Sequence, residues 1–208
     1  MCVICVSEKG VRQPTEREIR MMFEKNPHGA GYMVARDGRV RIEKGFMNVD
    51  ALLRTLKEER FGKDDVVVYH FRISTQAGVN QQMTQPFPLS DRLEHMKATS
   101  VDCECGIAHN GVIPLTTDPR EKEFSDTAMF IAFYLSDIVT RPDDLHDEEV
   151  LDDIETLIQS KMVLLDGSGD LAYIGKWYDM NGLKCSNLYF LNRSDIQKRW
   201  FSLLEKVS

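Results

Sequence analysis

Cys2 is the first residue whose type and position suit it to chemistry. Once Met1 is removed it carries both a thiol and a free α-amine. Such an amine titrates at about 7.7–8.0, so part of it is neutral at pH 7 and able to take the thiol proton. Nucleophile and base then sit on one residue. Three further clusters lie downstream. Tyr69-His70-Phe71-Arg72-Ile73-Ser74-Thr75 closes an apolar run. An arginine there offers a planar fork to a carboxylate, although a single arginine more often makes a surface ion pair. Ile107-Ala108-His109-Asn110-Gly111 reads first as a turn. Its Asn110 NH2 and Gly111 N–H are also two donors able to meet at one oxygen, which an oxyanion hole requires. Ser125-Asp126-Thr127 reads as a helix start with an acid favoured by the helix dipole. The same Asp126 carboxylate suits a ligand ammonium.

These residues need elements to hold them. Thr15 and Glu18 have capping-box spacing ahead of Ile19, Met22 and Phe23. Leu52, Leu53 and Leu56 mark a second helix. Ser125 caps a third, with Met129, Phe130, Phe133 and Tyr134 as its apolar positions. Val150, Leu151, Ile154, Leu157 and Ile158 mark a fourth. Asp195 caps a last helix carrying Ile196, Trp200 and Leu203. Strands are expected at 2–6, at 31–35 and 40–44 around the Asp37-Gly38 turn, and at 66–71. Others are expected at 107–109 and 112–113 around Asn110-Gly111, at 162–165 and 171–174, and at 188–191. Hairpins dominate and helices do not alternate with strands, so the expectation is an α+β fold on antiparallel sheets. With no repeat or linker, residues 1–208 are expected to form a single domain.

Composition narrows the function. The 26 Lys and Arg against 33 Asp and Glu give a net charge of −7, with no basic block. That argues against binding a phosphate backbone, so no nucleic-acid partner is expected. No apolar run is long enough to span a bilayer, so no membrane partner is expected either. The apolar start is short and runs at once into Glu8 and Lys9, unlike an export signal. A cytoplasmic chain with five reduced cysteines is expected.

Taken in order, the clusters resemble the glutaminase domain of class II glutamine amidotransferases, which belong to the N-terminal nucleophile hydrolases. The matching pieces are Cys2, Asn26-Pro27-His28-Gly29-Ala30-Gly31, His70-x-Arg72-x-Ser74-Thr75, Pro86-Phe87, His109-Asn110-Gly111 and Ser125-Asp126-Thr127. A late Ser186-Asn187 with Tyr189-Phe190 also fits. The resemblance implies a four-layer αββα sandwich. It implies glutamine as substrate, with Cys2 attacking the side-chain amide and Asn110 and Gly111 forming the oxyanion hole. Arg72 and Thr75 would bind substrate, Arg72 through the α-carboxylate, and Asp126 would hold the α-ammonium. Segment 74–89 would cover the glutamine. No cofactor and no metal are implied. The ammonia would pass to an acceptor on a separate synthase or ligase chain.

The sequence departs from the family pattern at Ile73, usually aromatic, and at Gln85, where many relatives have histidine or cysteine. Gly78 also comes one residue late. Three rival readings stand beside the resemblance. Cys2-x-x-Cys5 and Cys103-x-Cys105 raise a zinc site, but the spacing is not that of two knuckles. A different N-terminal cysteine hydrolase would act on another amide or γ-glutamyl compound. A catalytically silent regulatory subunit would keep the fold alone.

Overall fold

The structure, a computed structural model, describes residues 1–74, 78–114, 123–192 and 194–197. The strands are β1 (Val3–Ser7), β2 (Ala30–Arg36), β3 (Arg39–Phe46), β4 (Val67–Phe71), β5 (Phe87–Pro88), β6 (Ser100–Cys103), β7 (Cys105–Asn110), β8 (Lys161–Asp166), β9 (Leu171–Ile174), β10 (Tyr178–Met180) and β11 (Leu183–Cys185). They build a seven-stranded sheet, ordered β10-β11-β1-β4-β2-β3-β6, and a four-stranded sheet, ordered β5-β7-β8-β9. Every pairing is antiparallel. The fold is therefore α+β on antiparallel sheets, as its hairpin-rich sequence implies.

Side chains alternate between the faces of a strand, and both faces are apolar here. Ile4, Val6, Met33, Ile42 and Val68 of the larger sheet meet Ala108, Val163 and Leu165 of the smaller one in a shared core. The opposite face of the larger sheet presents Val3, Cys5, Tyr32, Tyr69 and Phe71 to a second core. The opposite face of the smaller sheet presents Ile107, Met162, Leu164 and Ile174 to a third. Burial on both faces is why these strands read as unbroken apolar runs.

Helices complete the outer cores. Helix α1 (Glu16–Lys25) is closed by the Thr15–Glu18 capping box and buries Ile19, Met22 and Phe23. Helix α2 (Val49–Glu59) is capped by Asn48 and buries Leu52 and Leu53. Both feed the second core. Helix α3 (Asp126–Phe130) is capped by Ser125 and runs into a π-helical turn (Ile131–Leu135) and then Ser136–Ile138. Helix α4 (Glu148–Ile158) is capped by Asp147. These two cover the smaller sheet.

Several expectations need correction. The first strand begins at Val3, so Cys2 precedes it. Residues 112–113 form no strand; β7 ends at Asn110 and pairs with β5 and β8. Residues 188–191 form no strand but a turn, with Leu191 N–H donating to Leu188 O. The strands of that region are β10 and β11. In α3 the residues turned inward are Ile131, Ala132 and Leu135, while Phe133 and Tyr134 are exposed. A π turn takes more residues than an α turn and rotates the apolar face. Residues 194–197 are helical and Asp195 N–H donates to the Asn192 side chain, so Asp195 lies inside this helix and does not cap it. Trp200 and Leu203 lie outside the described residues. No helix among the described residues is long and apolar enough to cross a membrane.

Candidate active site

The site forms where several strand ends meet. In the antiparallel β1/β4 pair Val3 faces Phe71. One residue beyond the ladder, Cys2 therefore comes beside Arg72 and Ile73. Ile73 N–H donates to Cys2 Sγ at 3.4 Å, and the thiol donates back to Ile73 O at 3.6 Å. Asn187 Nδ2 donates to Cys2 O at 2.7 Å, which ties the start of the chain to the segment after β11. The thiol is held above its ordinary range, chiefly by burial. The Ile73 N–H, the terminal amine and Arg72 act the other way. At neutral pH the sulfur is thus a thiol and needs a base.

Arg72 is fixed from several sides. Its backbone N–H donates to Gly29 O at 2.8 Å, and His28 N–H donates to Arg72 O. Gly29 has φ +110°, a region closed to most side chains, and a β-carbon there would press on Thr84. That explains the glycine in the His28-Gly29 strap. The Arg72 guanidinium donates to Gly78 O at 2.9 Å, an oxygen also bonded by Ser74 Oγ. Thr75, also expected to bind substrate, lies outside the described residues.

Asp126 opens α3. Its Oδ2 accepts from Ile113 N–H at 2.8 Å and its Oδ1 from Thr127 N–H at 2.7 Å. The carboxylate is therefore both an anion at a helix start and the anchor that folds the chain back after β7. Asp126 and Arg72 attract each other across the pocket.

Between them runs the end of β7. His109 N–H donates to Gln85 Oε1 at 2.7 Å. The His109 ring lies 2.9 Å from Thr127 Oγ1 through Nδ1 and 2.7 Å from Ser160 Oγ through Nε2. Ser160 gives its own proton to Ile158 O. It must then accept from Nε2–H, which leaves Nδ1 an acceptor, and Thr127 Oγ1 has one proton to share between Nδ1 at 2.9 Å and Asp126 Oδ1 at 3.3 Å. Burial pulls this ring down to about 3, and it stays neutral. Gly111 packs so tightly that a β-carbon would collide with Ser160 and come within 3.1 Å of His109 Nε2.

Asn110 is buried, and its carboxamide meets Ser186 Oγ at 2.9 Å. Ser186 Oγ also accepts Ile4 N–H at 2.9 Å. Asn110 Oδ1, as oriented, has no hydrogen-bond partner among the described residues.

Cys2, Arg72, Gly111 and Asp126 line one pocket of about 180 Å³, together with Ile73, Gln85, His109 and Thr127. Asn110 lines an adjoining cleft instead. Gln85, Ser160 and Ser186 were not singled out by the sequence as working residues. Gln85 stood out only as a departure beside Pro86-Phe87 and Ser186 only within the late Ser186-Asn187 motif, while Ser160 has no local signature. The covering segment also differs from expectation. Residues 83–88 are buried, and β5 within them is hydrogen-bonded into the smaller sheet.

The other cysteines do not gather. Cys5 faces Cys185 on the outer side of the larger sheet, Cys103 lies between the sheets, and Cys105 faces the opposite outer core. Among the described residues no group of histidines, cysteines and acids is arranged to hold a metal. Compared with models of known protein families and with curated proteins, the chain finds no match.

Proposed function

We propose that the chain is the glutaminase domain of a class II glutamine amidotransferase, an N-terminal nucleophile hydrolase acting on the side-chain amide of glutamine. The observation that carries this reading is the convergence of Cys2, Arg72, Gly111 and Asp126 on one small pocket from four separate stretches of chain. Two sheets with a shared core, each covered by helices on its far side, support the αββα sandwich of those enzymes.

The chemistry follows from the residue types. Glutamine is zwitterionic at its α-carbon and neutral at its amide. Arg72 meets the α-carboxylate and Asp126 the α-ammonium, which leaves the amide at Cys2. The Cys2 amine takes the thiol proton as sulfur attacks the amide carbon. The tetrahedral oxygen receives hydrogen bonds from Gly111 N–H and Asn110 Nδ2. The C–N bond breaks, the nitrogen leaves as ammonia with the proton held by the amine, and a γ-glutamyl thioester remains. Water then attacks, again giving its proton to the amine, and the C–S bond breaks to release glutamate while the sulfur takes that proton back.

Ser186 sets the carboxamide for this role. Its hydroxyl accepts Ile4 N–H and has one proton to give. Turning the Asn110 amide by 180° lets that proton reach Oδ1. Nδ2 then occupies the position that otherwise holds an unpartnered oxygen. A buried acceptor without a donor costs about 1–3 kcal/mol, whereas a waiting donor is completed by the oxyanion.

The test is ammonia release from glutamine by the purified protein. Cys2→Ala is expected to abolish it without unfolding the chain, and a glutamine-like diazoketone is expected to label Cys2. Labelling chiefly at Cys103, Cys105 or Cys185 would refute the assignment. The mechanism also requires Cys2 to be N-terminal, so intact mass of active protein is expected to lack Met1.

A further inference from the structure

Beside the small pocket lies a cleft of about 750 Å³. Val112, Tyr178, Leu188, Tyr189, Leu191 and Ile196 give it an apolar lining. Among the described residues nine large hydrophobic side chains are exposed. Five of them, Met1, Val112, Tyr178, Tyr189 and Ile196, line this cleft. Exposed apolar surface concentrated in one concavity marks a binding site more than chance does. The size suits a small organic group.

The cleft is continuous with the candidate active site. Met1, Gly111 and Val112 line both cavities. Removing Met1, which the proposed mechanism requires, takes away one of these shared walls and opens Cys2 toward the cleft. With Arg72 and Asp126 holding the amino-acid head in the small pocket, the amide nitrogen is the part of the substrate that faces away from the head. The NH2 of glutamine leaves a space of this size empty.

We infer that the cleft is a leaving-group subsite, and that the chain hydrolyses γ-glutamyl amides whose nitrogen carries an apolar or aromatic group. This rests on the Cys2 glutaminase reading and extends it. The acyl half of the reaction is the same: the Cys2 amine takes the thiol proton, Cys2 Sγ bonds to the γ-carbon, the C–N bond breaks, and the leaving amine departs with the proton held by the Cys2 amine. Water then releases glutamate from the thioester. What changes is that the departing amine carries a ring or chain seated between Tyr178 and Tyr189.

The test uses the protein lacking Met1 and three substrates: glutamine, γ-glutamylmethylamide and γ-glutamylbenzylamide. The two amides have alkylamine leaving groups and differ chiefly by a ring. The expected result is a kcat/KM at least about tenfold higher for the benzylamide than for the methylamide, the discrimination an apolar pocket gives for added apolar bulk. Tyr189→Ala, at a side chain 73% exposed, is expected to bring that ratio toward one. Hydrolysis of glutamine with no preference for the benzylamide would overturn this inference and leave the glutaminase reading standing. So would a preference that Tyr189→Ala and Tyr178→Ala both leave intact. Failure to hydrolyse any of the three would overturn both.

Discussion

At the scale of single residues, charge separates the roles. In the proposed reaction Arg72 and Asp126 would meet groups that are charged before and during reaction, so Arg72→Ala and Asp126→Ala are expected to raise KM for glutamine more than they lower kcat. In the same proposal Asn110 would meet an oxygen whose charge develops only on attack. Asn110→Ala is expected to lower kcat by about 10²–10³ with little change in KM. Steady-state kinetics of the three variants decides this, and equal losses of kcat at constant KM would contradict it. Ser186 touches Asn110 and Ile4. As a positioning residue, its Ser186→Ala variant is expected to lose kcat roughly tenfold to a hundredfold, the effect of letting a reacting donor drift by about 1 Å. An unchanged kcat in a variant of normal thermal stability would remove Ser186 from the site.

At the scale of elements, the segment between Arg72 and β6 is held by a buried lysine. Lys44 on β3 donates to Gln82 O at 2.8 Å and Met96 O at 2.7 Å, and its ammonium sits 4.0 Å from the Phe87 ring centre. Burial, and then the nearby Arg72 charge, pull it below the usual lysine range. The two carbonyls and the ring hold it in place. Lys44→Met keeps the bulk but leaves both oxygens without a donor. It is expected to lower the unfolding free energy by roughly 1–3 kcal/mol. Backbone hydrogen exchange is expected to quicken across 82–97, where Gln85 and β5 lie. Denaturant unfolding and exchange mass spectrometry read both. Unaltered exchange would mean that β5 pairing alone anchors the segment.

At the scale of the whole molecule, the two sheets are bridged by histidines that stay neutral. His70 Nε2 donates to His109 O at 3.2 Å across the shared core. Burial draws both rings from an ordinary 6.5 down to about 3. In the unfolded chain they bind protons below 6.5, and in the folded chain they do not until about 3. Their contribution is therefore complete above pH 6.5 and is lost as pH falls through the window from 6.5 to 3. The loss reaches up to about 3 kcal/mol for each histidine at pH 4. Urea midpoints at pH 7, 5 and 4 are expected to fall in that order. A midpoint constant over this range would mean that the rings become charged without unfolding the protein.

What the sequence by itself determined is local. Thr15 and Glu18 close α1 because a cap needs only residues three apart. Asp37 and Gly38 turn β2 into β3 because both adopt positive φ. The apolar runs at β1, β4 and β8 are legible because both faces of each strand are buried. Cys2, Arg72, Gly111 and Asp126 were legible as residue types in an order. Their meeting was decided by tertiary structure, through the register of β1 on β4 and the carboxylate of Asp126 pulling residue 113 back. The turn at 188–191, read as a strand from its apolar residues, went to the rim of the larger cleft because β10 and β11 had already taken the sheet edge. The bond between Asn110 and Ser186 joins residues 76 positions apart, and Gln85 reaches His109 from a separate loop. Such contacts have no periodicity to read, because they depend on where two strand ends stop in space.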